Sequence, residues 1–282
     1  MKTVINRLLR GGLPAAVALI GITSSTLQAQ TLVHRYEFNG NVNDSVGSQN
    51  GTASTNTTWL EAPSFGSIVP TGASGPTQSI QFGMNDGTKK SFFSANAAII
   101  QNQASAGSVA MFINSNATTS TLFRYAFSAL NLPVGFALGQ ITLSSNQSLT
   151  AGVNGSNLGS VTLTPDTWYH VALTWQQTGG NLTRTYYVDG NQVATATTTG
   201  SLTGVTAVRV GTFNTADDGA NLANQFDGRL YDLQVYSGAL SSAQVSSLYT
   251  NPGAAIPEPS TWALLAASVI ALIVFRRRRS KC

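Results

Sequence analysis

Pro165-Asp-Thr-Trp-Tyr-His-Val-Ala-Leu-Thr-Trp175, continued by Thr183-Arg-Thr-Tyr-Tyr-Val-Asp-Gly-Asn-Gln-Val193, is the stretch whose reading decides the fold class. From Trp168 the residues alternate. Tyr169, Val171, Leu173 and Trp175 fall on one face, and Trp168, His170, Ala172 and Thr174 on the other. Period two with aromatic and β-branched residues on both faces predicts a strand covered on each side. Gln176 to Asn181 supplies a Gly-Gly turn, and Thr183 to Val188 returns. Asp189-Gly190 is the pair that tolerates positive φ at both corners of a type I′ hairpin turn. Gln192 to Ala196 then makes the third strand of an antiparallel meander.

Working outward, apolar alternation recurs between turn signals at Ser79 to Phe82, Ser108 to Ile113, Leu122 to Phe127, Val134 to Leu143, Asn157 to Leu163, Ala207 to Phe213 and Gln225 to Tyr236. Strands at this rhythm in a 282-residue chain predict an all-β, two-sheet antiparallel sandwich or jelly roll. One helix is expected near its end. Ser241 and Gln244 have capping-box spacing, Leu240 and Val245 can staple its first turn, and Leu248 and Tyr249 would close it on the sandwich.

Three blocks carry a family resemblance. Trp168-Tyr-His-Val-Ala with Tyr187-Val-Asp-Gly190 is similar to the central signature of the laminin-G-like (concanavalin A-like) jelly-roll domains. Leu32-Val-His-Arg-Tyr-Glu-Phe-Asn-Gly40, then Asn43-Asp-Ser-Val-Gly47, resembles the opening strand and its loop. Gly228-Arg-Leu-Tyr-Asp-Leu-Gln-Val-Tyr236, with Gly238-Ala-Leu-Ser241 and Leu248-Tyr249, resembles the closing strand and helix. The resemblance spans residues 31 to 250, so the jelly-roll domain is expected over 30–250.

The ends read differently. Residues 1–29 combine a basic start, an apolar run from Leu13 to Ile22 and small polar residues before Ala29, the layout of a secretory signal peptide. An uncleaved anchor is the alternative; the short run, interrupted by Gly21, favours cleavage after Ala29. Residues 251–256 read as a flexible linker. Residues 257–282 hold Pro257-Glu258-Pro259, an apolar run from Trp262 to Phe275, and Arg276 to Arg279. Fourteen helical residues span about 21 Å, short of the roughly 30 Å hydrocarbon core, so this C-terminal hydrophobic helix is a marginal anchor. The arginines favour a cytoplasmic C-terminus. The combination resembles the bacterial PEP-CTERM sorting signal. That resemblance implies an exosortase-type protease acting near the motif, and an envelope or extracellular destination associated with exopolysaccharide and biofilm matrix.

Charge excludes one function class. Fifteen basic against eleven acidic residues give +4, but eight of the basic ones lie in the first ten or last seven positions. From Arg35 to Asp232, Glu258 excluded, seven basic residues face ten acidic ones, so nucleic acid is not an expected partner. Cys282 is the single cysteine, and no disulfide or zinc cluster forms within one chain.

Catalysis is not expected. Retaining glycoside hydrolysis needs two carboxylates about 5 Å apart. After the leader the glutamates are only Glu37, Glu61 and Glu258, with no Glu-x-Asp-x-Glu run. His34 and His170 are the only imidazoles for triad chemistry, and both sit in strand signatures; His170 reads as a core histidine. Calcium is the expected inorganic candidate. Asn39, Asp44 and Asp232 offer oxygens that converge if the first and last strands are neighbours, with Asx turns as the alternative for the first two.

For carbohydrate, Trp59 beside Thr57, Thr58 and Glu61 is the one tryptophan outside a clear strand. Asn214, Asp217, Asp218 and Asn221 supply polar groups on a second loop, where a plain solvated turn is the alternative for the acidic pair. Trp168 and Trp175 read as core. The expected function is non-catalytic binding of extracellular polysaccharide or glycoconjugate at the cell surface. A self-associating matrix protein is the second reading, and a carbohydrate-active enzyme the third.

Overall fold

The computed structural model describes residues 30–83, 89–116, 123–130, 135–142, 148–153, 156–213 and 225–257. Residues 1–29, expected to be a signal peptide, and the apolar run 262–275 lie outside them. Among the described residues no helix is long and apolar enough to cross a membrane.

Two antiparallel sheets form a sandwich. The first runs β13 (Asn191–Thr199), β12 (Asn181–Val188), β11 (Trp168–Thr178), β6 (Ala106–Ser115), β15 (Gly228–Tyr236), β4 (Ser79–Phe82) and β3 (Ser64–Gly66). β1 (Leu32–Tyr36) pairs with the second half of β15. The second sheet runs β10 (Ser156–Thr162), β9 (Ser148–Val153), β8 (Phe136–Thr142), β7 (Phe123–Leu130), β14 (Ala207–Val210), β5 (Phe93–Ala95) and β2 (Thr52–Ala53).

The expected meander is β11 to β13. Asp189 and Gly190 both have positive φ, 48° and 76°, as the type I′ turn requires. Val171, Leu173 and Trp175 enter the core between the sheets, with Ile80, Phe82, Phe93, Val109, Phe127, Leu138, Leu230 and Val235. The opposite face of β11 is also covered. Ala172 joins Ala110, Tyr187, Tyr236, Leu240, Val245, Leu248 and Ile256 in a smaller apolar layer beneath helix α2 (Ser242–Thr250). Burying side chains such as Val245 and Leu248 contributes about 1.5–3 kcal/mol each. Trp175 is core as expected, its indole N–H donating to Gln103 O at 2.7 Å, whereas Trp168 is half-buried on the outer face. Tyr249, expected to close the helix on the sandwich, is exposed instead, its ring 6.4 Å from His170.

The capping box of α2 is present: the Ser241 hydroxyl accepts from Gln244 N, and Gln244 Oε1 accepts from Ser241 N. Ser241→Ala should cost about 1 kcal/mol in urea denaturation. No loss of stability would mean that the packing of Val245 and Leu248 fixes the helix alone.

Alternation breaks once where it matters. In β15, Leu230 and Val235 both enter the core although they are five positions apart, because a bulge falls between Tyr231 and Gln234 against β6. Asp232 sits in it with φ 53°, and its side chain is re-aimed onto the outer face.

Residues 251–256 are not a free linker. Ser74 N donates to Pro252 O, Arg35 Nη2 to Gly253 O at 2.6 Å, and Gln234 Nε2 to Ala254 O at 2.8 Å. Ile256 N donates to the Tyr236 hydroxyl at 3.2 Å, and the Ile256 side chain is buried. The segment docks because its backbone meets Arg35 of β1, Gln234 and Tyr236 of the bulged last strand, and the Ser74 amide.

Candidate functional site

Asn39, Asp44 and Asp232 do not form one donor set. Asp44 is buried, and its Oδ1 accepts from the backbone N–H groups of Arg35, Val46 and Gly47. Its Oδ2 accepts from Gln49 N at 3.0 Å and lies 2.7 Å from His34 Nδ1, a contact that puts the ring proton on Nδ1. Burial pushes the Asp44 carboxyl up, but these donors more than offset it and hold it below the usual carboxylate range. Five N–H donors occupy the lone pairs a calcium ion would need. Asn39 Oδ1 accepts from Thr77 N at 3.0 Å. Asp232 is paired to Arg35 through Nε–Oδ1 at 2.7 Å and Nη2–Oδ2 at 3.1 Å. The first and last strands are neighbours, as expected, but the two aspartates meet on Arg35, one holding its backbone N–H and the other its guanidinium. These residues fit a structural arginine cluster and not calcium.

His170 is the buried core histidine expected from its strand position. Burial pushes its pKa down to about 3, so the ring is neutral throughout the physiological range.

Trp59 lies where the second sheet ends. Register places the end of β2, the start of β5, the end of β14 and the middle of β7 side by side: Ala53 and Val210 both face Phe93, and Val210 faces Phe127. Trp59 O accepts from Lys90 N at 2.9 Å, fixing the backbone of its loop to the chain entering β5. Next to Lys90, Ser91 exchanges two 2.9 Å hydrogen bonds with the side-chain amide of Gln225. Gln225 in turn bridges to Tyr125. The base of the 214–224 loop and Trp59 therefore share one end of the sandwich. Asn214, Asp217, Asp218 and Asn221 themselves lie outside the described residues.

Four further residues, Phe213, Tyr125, Arg209 and Arg124, lie at that end. Phe213 is 42% exposed, close to the 40% of Trp59, and its ring centroid is 5.2 Å from that of Tyr125. The Arg209 guanidinium donates to Phe213 O. Arg124 donates to Gln225 O at 3.2 Å and pairs with Asp227 at 3.3 Å. Burial pushes the Arg209 pKa down and those of Tyr125 and Asp227 up, with Arg124 opposing the shift at Asp227. The end thus presents two exposed aromatic faces, a third ring beneath one of them, and guanidinium and carboxylate groups on strand ends. Flat apolar surface beside oriented polar groups is what a sugar ring, with its apolar C–H face and hydroxyl rim, can bind. The sequence carried no signal for Tyr125 or Arg209, which sit in ordinary strand alternation. Phe213 was detectable only as a large apolar residue heading a polar loop.

Comparison with known proteins follows this geometry. The profile of the concanavalin A-like lectin/glucanases superfamily matches residues 86–246, more than half of the chain. The PEP-CTERM protein-sorting motif matches residues 255–279. Among solved structures, domain 4 of AbnA, a GH43 extracellular arabinanase from Geobacillus stearothermophilus, in complex with arabinotriose, superposes with a TM-score of 0.56. It is 19% identical over 79% of this chain and 100% of that one. The binding domain of botulinum neurotoxin serotype D/C gives 0.53 at 14% identity, over 78% of this chain and 51% of that one. A mutant Trypanosoma rangeli sialidase displaying trans-sialidase activity gives 0.53 at 14% identity, over 77% and 32% respectively. At these identities the likeness is one of fold. No curated protein matches the chain in sequence.

Proposed function

This chain belongs to the concanavalin A-like lectin/glucanases superfamily and carries a PEP-CTERM protein-sorting motif, and we propose that it is a secreted, non-catalytic module that binds polysaccharide at the cell surface. The motif marks a secreted protein that is sorted through a transient membrane anchor. In this reading an exosortase-type protease processes it at Pro257, Glu258 and Pro259, of which the latter two lie outside the described residues, and its C-terminus is cytoplasmic before processing. The observation that carries the glycan reading is that exposed Trp59 and exposed Phe213 lie at the same end of the sandwich as Tyr125, Arg124 and Arg209. A domain of the same fold seen in complex with arabinotriose supports it.

Binding is the favoured activity because the described carboxylates near the site are committed elsewhere. Asp227 pairs with Arg124, and Glu61 is buried. Glycoside hydrolysis would need a second acid beside one of them.

The test is affinity electrophoresis of residues 30–257 through gels containing the producing organism's own exopolysaccharide, with calcium and with chelator. Retardation should weaken about tenfold in Trp59→Ala and in Phe213→Ala, the usual scale for truncating an aromatic anchor. Chelator should leave it unchanged if Asn39, Asp44 and Asp232 serve only the fold. Self-association without retardation by any polysaccharide would favour the structural matrix protein and sink the glycan reading.

A further inference from the structure

The two ends of the sandwich have different tasks. Opposite the aromatic end, β15 finishes at Tyr236, which pairs with Leu32 at the start of β1, while Ser237 N donates to Thr31 O. Both terminal segments therefore leave the domain beside Tyr236. The C-terminal one leaves as a strap, docked up to Ile256, with Pro257 exposed. The sorting-motif match begins at residue 255, so Ala255 and Ile256 belong to the fold and to the sorting segment at once.

We propose that the docked strap controls access of the sorting protease to its motif. The inference rests on reading Pro257-Glu258-Pro259 as that protease's recognition sequence. A protease reading extended chain takes hold of backbone groups on both sides of its motif, as strand-addition recognition does. On the N-terminal side those groups are occupied: Gly253 O by Arg35, Ala254 O by Gln234, and Ile256 N by Tyr236. Engagement must lift the strap and expose Ile256. This is a local opening well short of unfolding the sandwich, and cleavage of a rapidly opening segment follows the population of its open form. The chain also has little slack. Five residues, 257–261, separate Ile256 from the apolar run at Trp262, an extended reach of about 17 Å. Undocking residues 252–256 roughly doubles that reach. The bond chemistry remains the protease's own. A backbone amide is broken, and its acyl group passes to water or to an acceptor hydroxyl or amine.

The experiment follows processing of the full chain by pulse-chase in a host that makes the sorting protease. Tyr236→Phe keeps the ring in its apolar layer but removes the oxygen that accepts from Ile256 N and donates to Gln234. Loss of these hydrogen bonds should speed processing about two- to tenfold. A six-residue Gly-Ser insertion between Ile256 and Pro257 provides free backbone without touching the sandwich. It should be processed at least as fast as Tyr236→Phe, and Tyr236→Phe should then add nothing. Wild-type rates in both variants overturn the proposal. So does an equal acceleration by Tyr236→Phe with and without the insertion, which would report general destabilisation. Absence of any processing of the unmodified chain overturns the motif reading itself, and the proposal with it.

Discussion

Asp44→Ala is expected to lower the stability of the sandwich by about 3–5 kcal/mol, because it strips the acceptor from several buried donors at once. Four backbone N–H groups, those of Arg35, Val46, Gly47 and Gln49, point at this one carboxylate, and the His34 ring adds a fifth donor. Loop 44–50 also meets β1 through Ser45 N to Arg35 O and the Tyr36 hydroxyl to Gln49 O, but the carboxylate gathers most of its donors. Asp44→Asn should cost less, since its carbonyl oxygen still accepts, but its NH2 faces N–H groups that want an acceptor. The pH dependence separates charge from shape. The folded-state pKa of Asp44 is depressed below its unfolded value, so its contribution is present above the unfolded pKa and is lost as pH falls through the folded one. Wild type should lose stability on acidification across that window, and Asp44→Asn should lose less. Parallel urea midpoints for the two proteins from pH 6 to pH 3 would show that the charge contributes nothing and that only shape matters here.

The second large effect is expected at the other aspartate that meets Arg35, with the opposite response to acid. Arg35→Met removes both hydrogen bonds to Asp232, the bond to Gly253 O and the 3.4 Å pair with Glu37. Asp232 is then left as a buried carboxylate with only Gln234 as donor, at 2.6 Å. Breaking a buried pair from one side typically costs about 3–5 kcal/mol. Burial already raises the Asp232 pKa, with Arg35 pulling it back down, so removing Arg35 raises it further. The penalty belongs to the ionised form. It should therefore be full above the raised folded pKa and shrink as pH falls through it, when the neutral acid no longer needs a cation. Asp232→Asn should cost less than Arg35→Met, because Arg35 keeps Glu37 and Gly253 O as partners. Asn also tolerates the positive φ of the bulge. Urea denaturation of both variants and of the double mutant at two pH values gives the coupling directly. A larger loss in Asp232→Asn than in Arg35→Met would show that the strand bulge, and not the ion pair, dominates this corner.

Much of the fold was legible because its signals are local. The alternation from Trp168, the Asp189-Gly190 corner and the Ser241–Gln244 cap each need only a few neighbouring residues, and each is present in the structure. The unnamed elements are short: β5 has three residues and β9 six, too few for the alternation of Leu149, Ala151 and Val153 to stand out beside its Ser, Thr and Gly. The helix α1 (Ala98–Gln101) has no side-chain cap to announce it. Residues 251–256 looked like a linker because Pro, Gly and Ala offer no polar side chain. Their hold on the domain is through backbone carbonyls and one N–H, which composition does not reveal.

Trp59 was legible as a candidate because a tryptophan outside any strand pattern stands out in one sequence. Its companions were not. Phe213 and Tyr125 are 88 positions apart and meet only because β14 pairs with β7. The meeting of Asp44 and Asp232 on Arg35 has the same origin. The residue types and the neighbouring first and last strands were readable, but that they meet on the Arg35 guanidinium depends on register and on one bulge.

By itself, then, the amino-acid sequence determined a two-sheet β sandwich ending in a capped helix, because side-chain period, turn conformation and capping are decided within a few residues. The sorting segment after it was legible through its resemblance to a known motif. The tertiary structure alone decided that the acidic residues of the first loop and last strand hold an arginine, that the aromatic rings gather at one end, and that the supposed linker is a docked strap. Each of these is a partnership across tens to hundreds of positions. Such partnerships follow from strand register, and a one-residue shift in register turns every side chain to the opposite face.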